Sequence, residues 1–306
     1  MKNHPTFSII LTTYNRAHLL SRAITSVLSQ SYDNFELLII NGGSTDTTDN
    51  VVHSFHDQRI QYLIQDRDYG VQSSRNLGLD TAKGKYLYFL DDDDELAQGA
   101  LELIIQLVDN FPLNDVKFFW FDAVDAETNT FSGIGLRSLE KKVVYRDLLC
   151  GRIHGDYATV HNREAFGTNR FDERLWGYEG LLWLKLHKKS DGYYFPKIIL
   201  KKYRQHGIRI CNTSVLSHLS QLILGESIRL KEFGGDLKAI CPDRYAEHLS
   251  SLGYFQMLDG QKDHARENIL LSLKYRFSIK FLFFYVISYF LLKQQLIFLC
   301  RAFKRV

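Results

Sequence analysis

Four consecutive carboxylates, Asp91-Asp92-Asp93-Asp94, are the residues of this chain best suited to chemistry. Like charges about 4 Å apart repel by roughly 4 kcal/mol at an effective dielectric near 20. A divalent cation removes that repulsion, and carboxylate oxygens suit magnesium or manganese. The plainer reading is a solvated acidic turn ahead of a helix starting near Ala97, where negative charge suits the helix N-terminus. However, the run directly follows Tyr86-Leu87-Tyr88-Phe89-Leu90, which reads as a buried strand, and such a strand dictates where the carboxylates at its end point. Position favours the cation.

Strand and helix signals alternate around this turn. Residues 7–11 form a short apolar run, as expected of a strand buried on both faces. Leu19, Leu20, Ala23, Ile24, Val27 and Leu28 recur at helical spacing as one apolar stripe. Residues 35–40 are a second buried strand, stopped by Asn41-Gly42-Gly43, and Ser44-Thr45-Asp46 offers N-cap chemistry for a helix running towards Phe55. Residues 60–64 read as a third strand and 73–83 as a helix closed by Gly84. This alternation implies an α/β fold with a mostly parallel sheet and helices on both faces. In such sheets ligands bind outside the carboxyl ends of the strands. Residues 12–16, 41–46 and 91–94 all fall at those ends.

The middle, 116–209, is less regular, with 118–121 and 193–200 as further strand candidates and no readable pattern in 137–172. From about Val215 the signals turn helical. Tyr254, Ala265, Ile269, Leu270 and Leu273, with Gly253 and Gly260, look like one tetratricopeptide-like helix pair, which cannot bury its own face alone. The 306 residues suffice for a large domain plus an appendage, and a hydrophobic fraction of 45% rules out a disordered chain. With 38 basic against 35 acidic residues, no nucleic-acid partner is expected from charge alone. Cys150, Cys211, Cys241 and Cys300 form no CxxC pair, so neither a zinc site nor a disulfide framework is expected, and a reducing cytoplasm suits them. Met1 to Pro5 lacks the apolar run of a signal peptide, so export by the usual route is not expected.

Four segments together carry a resemblance: Phe7-Ser-Ile-Ile-Leu-Thr-Thr-Tyr-Asn-Arg16, Leu38-Ile-Ile-Asn-Gly-Gly-Ser-Thr-Asp46, Ser74-Arg-Asn-Leu-Gly78 and Phe89-Leu-Asp-Asp-Asp-Asp94. In this order and spacing, over about residues 6–210, the chain resembles the family 2 glycosyltransferases. The resemblance implies a GT-A domain, a Rossmann-like three-layer sandwich, over residues 1–212, followed by a helical extension over 213–306. It implies inverting, metal-dependent transfer of a sugar from a nucleotide-diphosphate donor, a UDP-sugar first, to a hydroxyl of a surface polysaccharide or lipid-linked glycan. Mn2+ or Mg2+ is the implied cofactor. Thr12 and Tyr14 match positions that hold the base. Asn41 stands where the base-reading aspartate is usual, and Gly42 where a second aspartate is common. Arg75 approaches the base or diphosphate, or else pairs with the acidic turn. Asp91 and Asp93 match the DXD motif, Asp91 towards the ribose and Asp93 towards the metal, with Asp92 also on the nucleotide side. Asp66 and Asp68 resemble an acidic pair of some members, and a turn-stabilising role is equally open. In the Trp176 to Trp183 segment, Glu179 and Gly180 stand where the family places a Glu-Asp pair, so the catalytic base falls to Glu179. The alternative is that Glu179 caps its helix through Lys185. Tyr203-Arg-Gln-His206 resembles the late YRxH segment, whose histidine approaches metal or diphosphate. His161 and His187 have no such context.

Residues 281–292 are the most apolar run, too short as a helix for a hydrocarbon core of about 30 Å. Lys274, Arg276 and Lys280 flank one side and Arg301, Lys304 and Arg305 the other, which suits a helix lying in a membrane interface. A core helix covering the tetratricopeptide-like pair is the other reading. The expected location is cytoplasmic, with work at the inner face of the plasma membrane open to it. A nucleotidyltransferase would want a glycine-rich basic loop after the first strand, and a dinucleotide oxidoreductase a GxGxxG there; neither is present. A catalytically degenerate domain that only binds sugar nucleotides, or acts as a scaffold, draws support from Gly180 and Asn41.

Overall fold

The apolar runs form strands whose two faces are both covered. In a computed structural model, which describes residues 4–109, 111, 115–137, 139–175, 177–203, 215–287 and 289, β1 (Phe7–Thr13) lies between β2 (Phe35–Asn41) and β4 (Tyr86–Asp91), with β3 (Ile60–Ile64) outside β2. These four strands are parallel. Beyond β4 the sheet continues through β10 (Tyr157–Asn162), β6 (Val116–Asp125), β11 (Asp191–Lys202) and β5 (Glu95–Leu96). There β6 and β11 are parallel, while β10 and β5 oppose their neighbours. A short β8 (Lys141–Val143) pairs with β11, and β7 (Gly133–Ile134) with β9 (His154–Gly155) makes a separate ribbon.

Strand periodicity of two sorts each apolar run between two layers. Phe7, Ile9, Leu11, Leu37, Ile39, Tyr88 and Leu90 share a cluster with residues of α1 (Ala17–Leu28), α2 (Thr48–His53) and α4 (Ala100–Val108). Ile10, Leu38, Ile40 and Leu87 share another with residues of α3 (Val71–Thr81) and α6 (Glu179–His187). The result is the expected three-layer sandwich. In the stretch 137–172, where the sequence shows no pattern, the structure places β8, β9, α5 (Tyr145–Leu149) and the central strand β10.

The described residues divide into two compact units. One holds those up to Leu148, Arg152–Glu173 and Leu182 onward to Tyr203; the other holds Leu149–Gly151, Arg174–Leu181 and those from Val215 on. The second unit is helical, with α7 (Leu219–Ile240), α8 (Pro242–Asp259), α9 (Lys262–Tyr275) and α10 (Ile279–Ile287). Leu219, Met257, Leu258, Ala265 and Ile269 form its core. Within it Cys150 and Cys241 are joined by a disulfide, their Cα atoms 5.6 Å apart. This corrects the expectation of no disulfide. The partners stand 91 residues apart, so only the fold, and no local spacing, brings them together.

Two histidines lie in the sandwich core. His161 on β10 is 2% exposed and stacks on Trp183, and its Nε2 lies 3.0 Å from the Thr159 hydroxyl. His187, 3% exposed, donates from Nδ1 to the Trp183 carbonyl and accepts from the Trp120 indole, the pattern of a neutral ring. Burial pushes His161 down to about 3 and His187 to about 4. The folded rings stay neutral while the unfolded ones protonate near pH 6.5, so stability is whole above that pH and falls below it. Each ring then removes about 1.4 kcal/mol per pH unit until its own folded pKa is reached. From pH 7 to pH 5 the pair together lowers stability by about 4 kcal/mol. Urea titrations of His187→Gln should show about half that pH-dependent loss; an unchanged loss would refute the assignment.

Candidate active site

Strand register brings the three loop-forming ends together. Thr12 on β1 pairs with Asp91 on β4, and Thr13 with Asn41 on β2. With strand order β3-β2-β1-β4, the chain leaves β1 to one side and returns on the other, and the crevice at such a switch point is where ligands bind. A cavity of about 440 Å³ lined by Lys117, Tyr145, Arg146 and Lys188 lies instead where β6 and β11 begin, away from these ends.

The first two loops are stitched to each other. Asn15, in the left-handed region at φ 53°, accepts from the amides of Thr45 and Asp46 through its Oδ1, and its own amide donates to Ser44 Oγ. Asp46 accepts from Ala17 N at the start of α1 and from Thr48 N at the start of α2. Although burial opposes ionisation, the Thr48 hydroxyl together with these amide bonds holds the Asp46 carboxyl below the usual range. Asn41 is fully buried: its amide donates to Asp49 and Tyr62 and its oxygen accepts from Ser44 N. Its polar atoms are thus spent on the loop. Thr12 is half-buried and Tyr14 is 43% exposed. Asp68, in the exposed turn before Gly70, accepts from the Gly70 amide, while Asp66 is exposed.

The acidic run separates into two pairs. Asp92 and Asp94 are buried at 3% and 2% exposure, whereas the side chains of Asp91 and Asp93 are 46% and 23% exposed. Asp92 accepts from the Thr13 hydroxyl at 2.8 Å and pairs with Arg16 at 2.8 Å. Burial pushes it up to about 7 against the pull of Arg16. Asp94 pairs with Lys202 at 2.9 Å, and burial likewise raises it to about 7. Asp93 pairs with Arg16 at 2.5 Å, and its carbonyl accepts from Arg22. Asp91 faces Arg75 at 3.2 Å and Lys202 at 3.8 Å. Burial works against its charge, but Arg75, Lys202 and Arg16 outweigh it and hold Asp91 below the ordinary carboxylate range. Lys202 lies also 3.9 Å from Asp156, and these acids keep its ammonium charged despite burial.

The Ser74-Arg75-Asn76 segment divides its work in the same way. Ser74 donates to Gln65, and Asn76 clamps Phe171 through both backbone groups. Arg75 is the member that reaches the acidic turn.

Asp91, Asp93 and Asp94 each offer an oxygen within 4.8 Å of the other two. An all-carboxylate donor set fits a hard divalent cation, which would share or displace Arg16 and Lys202. Asp94, Arg16 and Lys202 were not singled out in the sequence as ligand residues. Arg16 ends the segment that begins at Phe7, but Lys202 lies 108 residues from Asp94 and carries no local signal. Glu179 opens α6 in the second compact unit and is half-buried. Trp176 and His206 lie outside the described residues.

Residues 8–162 match the model of a family described as Glycosyl transferase family 2. The chain is 32% identical over 213 residues to a GalNAc(5)-diNAcBac-PP-undecaprenol beta-1,3-glucosyltransferase of Campylobacter jejuni, covering 67% of this chain and 68% of that enzyme. It is 34% identical over 146 residues to the UDP-Glc:alpha-D-GlcNAc-diphosphoundecaprenol beta-1,3-glucosyltransferase WfgD of Escherichia coli, covering 47% of this chain and 56% of the other. Among solved structures, S. aureus TarS 1-349 in complex with UDP-GlcNAc is similar with a TM-score of 0.66 at 16% identity, over 88% of this chain and 81% of that one. The mannosyltransferase PcManGT from Pyrobaculum calidifontis, in complex with GDP-Man and Mn2+, gives 0.56 at 14% identity, over 94% and 80%. At such identities the likeness is one of fold, here the GT-A fold.

Proposed function

Because this chain belongs to glycosyl transferase family 2, we propose that it transfers a sugar from a uridine diphosphate donor to a hydroxyl of an undecaprenyl diphosphate-linked glycan, with inversion. The observation that carries the reading is the strand register: Thr12, Thr13, Asn41 and Asp91 meet at the carboxyl ends of β1, β2 and β4, with the carboxylates of Asp91 and Asp93 partly exposed. Asp91 orients the ribose, Asp93 and Asp94 complete the carboxylate set for Mn2+ or Mg2+, and Arg75 approaches the diphosphate. When bound, that cation supplies charge neutralisation for the departing nucleotide. Glu179 takes the proton from the acceptor hydroxyl, whose oxygen forms the new bond to the anomeric carbon. The bond from that carbon to the diphosphate oxygen breaks, and its electron pair leaves with the nucleotide. One displacement inverts the carbon.

The relatives named as glucosyltransferases make UDP-glucose the first donor to test. In a thermal-shift screen with UDP-glucose, UDP-GlcNAc and GDP-mannose, the uridine donors should raise Tm only when manganese is present. No shift with any donor would overturn the reading. A binding-only domain is the second reading, favoured by the hold of Lys202 and Arg16 on the carboxylates; hydrolysis of donor over many turnovers separates it from the enzyme.

The acceptor's lipid anchor makes membrane contact part of the proposal. No helix among the described residues is long and apolar enough to cross a membrane. Phe277, Ile279, Leu282, Phe283 and Val286 are nevertheless exposed, and residues 276–306 hold Arg276, Lys280, Lys293, Arg301, Lys304 and Arg305 with no Asp or Glu. Arg276 pairs with Glu247, and apolar side chains in a segment whose own charges are all cations suit an anionic bilayer surface. The full chain should sediment with phosphatidylglycerol vesicles and release in salt; a chain ending at 275 that binds equally well would refute this contact.

A further inference from the structure

Tyr178, the residue before the proposed base, is seated in a socket built by one face of α7. Its hydroxyl donates towards Glu226 Oε1 at 3.1 Å and lies 3.2 Å from the Leu222 carbonyl. The Arg229 guanidinium sits over its ring, 5.6 Å from the centroid. Leu222, Gly225, Glu226 and Arg229 fall three, four and seven positions along a helix, and so present one face. Gly225 is the floor of the socket. A Cβ added there would lie 2.6 Å from the tyrosine ring carbons, so even alanine would evict the ring. Glycine inside a helix costs about 1 kcal/mol against alanine, and here that cost makes room for Tyr178.

The socket's charge is itself fixed. Glu226 is 7% exposed, and its second oxygen lies 2.9 Å from His248 Nδ1 on α8 and 3.6 Å from Arg229 Nε. Burial opposes its ionisation, but His248, Arg229 and the Tyr178 hydroxyl hold its carboxyl below the usual range. Burial and the Glu226 charge together raise the Tyr178 phenol, so it remains a donor across the working pH range. A hydrogen bond from a neutral hydroxyl to a buried carboxylate is one of the stronger kinds. All these residues belong to the second compact unit.

We propose that Tyr178 is a positioning residue: its ring, locked into the α7 socket, fixes the first turn of α6 and with it the carboxylate of Glu179. The proposal rests on the reading of Glu179 as the base. Backbone adjacency makes the coupling direct, since a rotated Tyr178 carries the next Cα with it. A misplacement of about 1 Å in a catalytic group costs on the order of 10²-fold in rate.

The test uses the full chain, with a synthetic undecaprenyl diphosphate-linked acceptor and calorimetric titration of UDP in the presence of manganese. Tyr178→Ala and Gly225→Ala should each lower kcat by roughly 10²-fold with KM for the donor and UDP affinity unchanged. Tyr178→Phe keeps the ring in its slot and should retain turnover within about tenfold, the lower worth of one hydrogen bond to a charged group. In a Glu179→Gln background, Tyr178→Ala should add no further loss, because both act at one group. Should Tyr178→Ala fail to fold, Gly225→Ala, which adds a single methyl, decides the matter. Normal kcat in Gly225→Ala, or fully additive losses in the double variant, overturns the positioning role while leaving the base assignment standing. Full turnover in Glu179→Gln removes the base assignment instead.

Discussion

Asp93→Ala should lose transfer by about 10³-fold, and manganese-dependent UDP binding with it. The argument starts from the alternation in the acidic turn. Of the four aspartates, Asp92 and Asp94 are turned into the protein and held by Thr13, Arg16 and Lys202. Asp91 and Asp93 keep partly exposed carboxylates, and both share the cation-competent set with Asp94. The side-chain partner of Asp93 among the described residues, Arg16, is itself 35% exposed and also bonds Asp92, so losing Asp93 leaves that guanidinium paired. A partly exposed ion pair contributes at most about 1 kcal/mol, so the variant should unfold at nearly the same temperature. Binding and turnover should therefore fall without stability. Calorimetric titration of UDP with and without manganese, beside a melting curve, makes the check. Turnover within tenfold of the unmodified chain would dismiss the carboxylate site.

Asp92→Ala offers the contrast. It removes the acceptor of the Thr13 hydroxyl and one of the two carboxylates that bond Arg16, at the carboxyl ends of β1 and β4. Arg16 keeps Asp93, but the buried Thr13 hydroxyl loses its acceptor, which costs about 1–3 kcal/mol, so this variant loses stability first. Two neighbouring residues of identical type thus fail in different ways, which a motif written as letters does not distinguish.

That difference marks how far the sequence is legible. β1 to β4 can be read because each is a strand of five to seven mainly apolar residues closed by polar or glycine-rich loops. The position of the acidic turn follows from the end of β4. Its inward and outward division does not, because it depends on Arg16 and on Lys202, 108 residues further on. β10 is hidden for another reason. Its sequence, Tyr-Ala-Thr-Val-His-Asn, lacks the apolar run of a central strand, since His161 enters the core as a neutral ring stacked on Trp183. The Cys150–Cys241 pair and the Tyr178 socket are long-range in the same sense, each joining a short surface segment to a helix far along the chain. Local pattern reveals elements; partners that share no period with them stay unread.

Glu179→Gln should spare donor binding and lower kcat by about 10²–10⁴-fold. The exchange preserves shape but replaces one carboxylate oxygen with an NH2 donor, and the neutral amide that results is too weak a base to take a proton at neutral pH. It also separates the catalytic reading from the capping one. Glu179 opens α6, where a negative charge is worth about 0.3–1 kcal/mol, so a residue that only serves the helix would cost that much stability and leave turnover intact. Gly180 supplies a second arm. A Cβ built there meets no described atom within 4 Å, and its φ lies outside the left-handed region, so aspartate fits without strain. Placing Asp at 180 in the Glu179→Gln chain puts a carboxylate one residue along the same turn. If the acceptor proton leaves from this end of α6, that double variant should regain part of the lost turnover while UDP affinity stays constant. Full activity in Glu179→Gln alone would move the base to another element.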